Sequence, residues 1–104
     1  MTTAKLYYEC HVNFEAFIDE EQREALITIA KPYGFHVAKL VMVKGEKAKD
    51  SFATLRGEDY EGVLVTMAQF IMDARQEGFK PTRYKIEDTL LDSRKQGDFL
   101  QLLG

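Results

Sequence analysis

The sequence predicts a two-layer α+β sandwich on three grounds. Strand-like segments appear four times, two segments repeat apolar residues at helical spacing, and the order is strand, helix, strand, strand, helix, strand. With 104 residues, the chain can bury one core but not two. Residues 1–93 are therefore expected to form a single domain, with 94–104 as a C-terminal tail.

The first strand is expected at Lys5–Phe14. Leu6, Tyr8, Cys10 and Val12 share one parity, and Lys5, Tyr7, Glu9, His11 and Asn13 share the other. One face of this strand packs, and the polar face meets solvent or a ligand. A helix follows, with Asp19 as N-cap, Gln22 three residues on, and Glu20 and Glu21 in its first turn. Its inward stripe is Leu26, Ile29, Ala30 and Tyr33, and Lys31-Pro32 with Gly34 ends it.

Phe35–Lys44 reads as the second strand. Val37, Leu40, Val41, Met42 and Val43 are apolar on both parities, the pattern of a strand covered on both faces. Its outer side is expected to meet a second subunit or the chain's own tail, whose Phe99, Leu100, Leu102 and Leu103 need an apolar surface. A third strand is placed at Asp50–Arg56, with Gly57 opening a turn. The second helix starts at the N-cap Asp59 and repeats Tyr60, Val63, Leu64, Met67, Ile71 and Ala74 before Gly78. Met67 and Met72 are read as packing residues. In the fourth strand, Lys80–Glu87, Tyr84 and Ile86 point inward while Arg83, Lys85 and Glu87 point out.

This order is the split βαβ arrangement of a ferredoxin-like βαββαβ fold, a four-stranded antiparallel sheet with both helices on one face. In it the first strand lies between the third and fourth. Glu9 and His11 therefore share the helix-free face with Arg83, Lys85 and Glu87, and Lys39 and Ser51 or Thr54 are expected to join them. An anion meeting His11, Arg83 and Lys85 would find several donors, which suits a phosphate. The competing reading is a solvated ladder of cross-strand ion pairs, each contributing a few tenths of a kcal/mol.

Other chemistries find less support. The net charge of −3 provides no general basic footprint for nucleic acid, and a single outward aromatic, Tyr7, on the first strand departs from RNA-binding sheets. Cys10 is the sole cysteine, so an internal disulfide is excluded, and its place in the alternation suggests a small buried side chain. Cys10 and His11 are neighbours in a strand and point to opposite faces, so they cannot act as a nucleophile–base pair. His11 with Glu9 and Glu87 offers metal-ligand atoms without paired-ligand spacing, and His36 is expected to be remote. No metal or cofactor is predicted, and no catalytic residue is assigned. No apolar run is long enough to span a membrane, and no signal-peptide core opens the sequence, so a cytoplasmic location is expected.

The stretch Arg83-Tyr84-Lys85-Ile86-Glu87-Asp88-Thr89-Leu90-Leu91-Asp92-Ser93, with Glu9–Asn13 and Asp50–Thr54, resembles small bacterial and bacteriophage α+β proteins of unassigned activity. That resemblance implies a microbial or viral source. His11-Val12-Asn13-Phe14 is similar to the His-x-Thr/Ser-apolar motif of one lobe of the two-histidine phosphoesterases. Asn13 stands where that motif has its hydroxyl residue. In the only candidate second copy, Phe52-Ala53-Thr54-Leu55, phenylalanine stands in place of histidine. The resemblance implies phosphodiester chemistry centred on His11; the departures favour binding a phosphate-bearing or nucleotide-like ligand without turnover. A protein-interaction module, dimerising through Val37, Val41 and Val43 of the second strand, is the alternative.

Overall fold

The computed structural model describes residues 6–15, 19–38 and 50–90. Its elements run β1 (Tyr7–Glu15), α1 (Glu20–Ala30), a 3-10 turn (Lys31–Tyr33), β2 (His36–Val37), β3 (Asp50–Gly57), α2 (Tyr60–Gln76) and β4 (Pro81–Thr89). The strands form one antiparallel sheet in the order β2-β3-β1-β4, with β1 central. This is the ferredoxin-like two-layer sandwich.

Local chemistry sets the helix starts. The Asp19 carboxylate accepts from the Gln22 amide at 2.9 Å, and the Asp59 carboxylate accepts from the Gly62 amide at 3.0 Å. Each cap satisfies one of the amides a helix start leaves unpaired. At the other end of α1, the proline does not stop the chain at once. Lys31 keeps helical angles, and Pro32 sits early in the 3-10 turn, where its missing N–H costs nothing. Gly34, at φ 77°, then reverses the chain into β2.

Cys10, Val12 and Phe14 of β1 pack with Leu26 and Ala30 of α1 and with Val63, Met67, Phe70, Ile71 and Ala74 of α2. Phe70 is the hub. Its ring stacks on Phe35 at 4.4 Å between centroids and meets Phe14 edge-on at 5.8 Å. Burial pushes the Cys10 thiol up to about 12, so it stays a protonated small hydrophobe.

Several expectations need correction. Tyr7 has the parity of the polar face yet is only 5% exposed, with the Arg56 guanidinium 5.3 Å from its ring centroid. Tyr84 has the inward parity yet is 51% exposed, on a strand at the edge of the sheet. Met72 is exposed on the outer side of α2, whereas Phe70, absent from the expected stripe, is fully buried. Val37 belongs to the helix-covered core and cannot be part of an outer apolar surface. Gly57 is the last residue of β3, paired with Tyr8. Lys39, Leu40, Val41, Met42, Val43 and the tail 94–104 lie outside the described residues.

Candidate functional site

The sheet register sets out the helix-free face in rows. One row crosses all four strands as His36, Thr54, His11 and Lys85. The row on one side holds Arg56, Glu9 and Glu87, and the row on the other holds Phe52, Asn13 and Arg83. Paired residues share a face, so these side chains form one polar field opposite the core.

At its centre three groups line up. His11 Nε2 lies 2.7 Å from Glu9 Oε1, and His11 Nδ1 lies 3.3 Å from Thr54 Oγ1. A carboxylate only accepts, so Nε2 carries a proton, and in the neutral ring Nδ1 accepts from the Thr54 hydroxyl. Glu9 also reaches across to β3, where Arg56 Nε donates to its Oε2 at 2.9 Å. One carboxylate thus orients an imidazole and a guanidinium together. Both His11 and Glu9 are about four-fifths shielded from solvent, their side chains being 22% and 20% exposed.

On the β4 side, Lys85 Nζ pairs with Glu87 Oε1 at 2.8 Å, and Glu87 Oε2 approaches His11 Nε2 at 3.9 Å. The Lys85 hydrogen bond and charge hold the Glu87 carboxyl below its ordinary value, with smaller help from His11 and Arg83. Arg83 is exposed one row away from His11, opposite Asn13. The imidazole and both cationic heads of the expected anion site therefore share a face. The donor set around His11 and Lys85 is already engaged by Glu9 and Glu87.

A depression of about 660 Å³ opens on the β3 side of this field, lined by Glu9, His11, Gly34, His36, Phe52, Thr54, Leu55 and Arg56. Lys85, Glu87 and Arg83 are not part of its wall. Two lining residues, Arg56 and His36, escaped the sequence reading. His36 is not remote: it pairs with Thr54, which pairs with His11, so two strand spacings, about 10 Å, separate the histidine backbones. Strict alternation from Phe52 through Thr54 would have reached Arg56. His36 was hidden because the apolar run after it masks which parity faces the core. Lys39 lies outside the described residues, as do the side chains of Asp50 and Ser51. Among the described residues, no group of three or more His, Cys, Asp or Glu side chains could hold a metal ion.

Fold and site together define a ferredoxin-like α+β domain with a polar, imidazole-bearing depression on its open sheet face. No family model matches the chain, and neither does any curated protein. Among solved structures, the chain is similar to one from Chloroflexus aurantiacus J-10-fl described as a candidate antibiotic biosynthesis monooxygenase. The two share 14% identity and a TM-score of 0.50, over 84% of this chain and 96% of that one. The likeness is one of fold. Among the described residues, no helix is long and apolar enough to cross a membrane.

Proposed function

We propose that this protein binds a small phosphate-bearing, nucleotide-like anion in the depression on its helix-free face. The observation that carries this reading is the convergence of Arg56, His11, His36 and the Thr54 hydroxyl on one cavity of about 660 Å³. Phosphate oxygens only accept. The Arg56 guanidinium has a five-donor fork that can serve Glu9 and a phosphate together, His36 adds an imidazole on the same wall, and His11, held by Glu9, orients the Thr54 hydroxyl. Phe52, 44% exposed on the same wall, offers a flat surface on which a base can stack. The cavity size suits a small molecule. Glu9 keeps Arg56 and His11 in place for the ligand. Lys85 and Arg83 extend the field on the neighbouring strand. The shielded, protonated Cys10 thiol fits the reducing cytoplasm expected for such a protein.

The test is calorimetric titration of adenosine and guanosine monophosphates into wild type, Arg56→Ala and Arg83→Ala. Arg56→Ala is expected to lose at least tenfold in affinity, and Arg83→Ala much less. Wild type that binds neither nucleotide, or Arg56→Ala that binds as well as wild type, ends the reading.

A second reading is phosphodiester cleavage, favoured by the line Glu9, His11, Thr54. In that order a carboxylate orients an imidazole that can draw a proton from a hydroxyl. His36, beside Thr54 on the next strand, provides a second imidazole for the leaving group. Hydrolysis of bis(p-nitrophenyl) phosphate that survives intact in His11→Ala would dispose of it. Association of two copies is a third proposal, resting on Val41 and Val43 of the sequence, which lie outside the described residues, now that Val37 belongs to the core. Sedimentation as a monomer at high concentration would remove it.

A further inference from the structure

We propose a second binding site on the helical side of the molecule: the groove between α1 and α2 takes a small organic cation, an ammonium carried on an apolar body. The groove encloses about 740 Å³, within the range of small-molecule sites. Its apolar walls include Ile29 and Pro32 from the α1 side and Phe79 after α2. Its charged lining is one-sided. Asp73 and Glu77 are both carboxylates, and among the described residues no lysine, arginine or histidine lines the groove. An anion would meet two like charges there, while an ammonium would meet two opposite ones.

The groove is also shaped in advance. The Tyr33 hydroxyl donates to Asp73 Oδ2, tying the start of β2's approach to α2. That bond, partial burial and the charge of Asp73 hold the Tyr33 phenol above its ordinary value, so the phenol keeps its proton at neutral pH. Two rings line the same space, and ring faces attract cations. Both are fixed from behind by the core: Tyr33 lies 6.2 Å from Phe70, and Phe79 lies 6.2 Å from Phe14. A cation therefore gains from the Asp73 carboxylate and the two rings without Tyr33, Asp73 or Phe79 having to be ordered first.

The probes are choline and its neutral isostere 3,3-dimethylbutan-1-ol, titrated into the full chain while amide shifts are followed by NMR. Choline is expected to move the amides of Ile29, Tyr33, Asp73 and Phe79 saturably, with the alcohol at least tenfold weaker. Asp73→Asn is expected to weaken choline at least tenfold, and Glu77→Gln about threefold. Arg56→Ala, on the other face, is expected to leave choline binding unchanged. Should Asp73→Asn fail to fold, Glu77→Gln and the isostere comparison on wild type decide the matter. Equal affinity for the two probes, no saturable shift in wild type, or choline binding untouched by either acidic substitution overturns the proposal.

Discussion

On the helix-covered face of the sheet, Cys10, Val12 and Phe14 of β1 are sealed against two helices. On the other face of the same strand, Glu9 and His11 exchange hydrogen bonds and charge with β3 and β4. The first face is held by shape. Its side chains touch many others at interior density, and removing one leaves a hole the rest cannot fully close. The second face is held by partner choice among polar groups that water could also satisfy, so changing one loses little stability but alters what the surface can bind. The difference separates the residues that make the fold from those available for function, and substitution can test it.

The largest effect is expected at Phe70. It is fully buried, and its ring meets those of Phe14, Phe35 and Tyr33. Phe70→Ala should lower unfolding free energy by about 3–5 kcal/mol, read as a lower urea midpoint. His11→Ala on the open face should cost within about 1 kcal/mol by the same measurement, as partly exposed polar pairs do. Equal losses for the two variants would erase the contrast between the faces.

An intermediate effect belongs where the sheet closes onto α2. A Cβ on Gly57 would stand 2.7 Å from Val63 Cγ2, and Val63 is a stiff, buried β-branched residue with little room to turn. Gly57→Ala should therefore destabilise by about 1–3 kcal/mol through overpacking. The double variant with Val63→Ala should recover part of that loss. If Gly57→Ala unfolds at the wild-type midpoint, the close approach of β3 to α2 is not a constraint.

The helix-covered face was the more legible in the sequence because its signals are local. Asp19 and Asp59 announce helix starts through contacts three residues away, and the alternation Cys10, Val12 describes a packed strand face without knowing its neighbours. The failures of parity, on either face, share a cause. Tyr7 and Tyr84 have the parity of one environment and the exposure of the other, since parity gives direction while burial depends on what lies overhead. Phe70 was passed over because the stripe of α2 is wider than a single run of three- and four-residue steps. The open face was legible only in part. Glu9 and His11 follow from one strand, and Lys85 and Glu87 from the predicted topology. Arg56 follows from strict alternation along β3, whereas His36 depends on the register of β2 against β3, which the apolar run after it does not encode.

The smallest effect sharpens the comparison from the polar side. Glu87 titrates below its ordinary value of 4.5 because Lys85 donates to it and stands beside it. A carboxyl depressed in the folded state takes up its proton less readily there than in the unfolded chain. Its contribution to stability is therefore complete above the unfolded value and disappears as pH falls through the lower, folded one. Lys85→Met removes the cause, so its urea midpoint should decline less steeply than wild type on acidification through that window. Because the pair is exposed, added salt should shrink the difference between the two curves. Parallel acid slopes at low salt would show that the Lys85–Glu87 pair adds nothing to folding. Glu87 would then be held near His11 by neither partner's charge, and the β4 side of the field would be solvated surface.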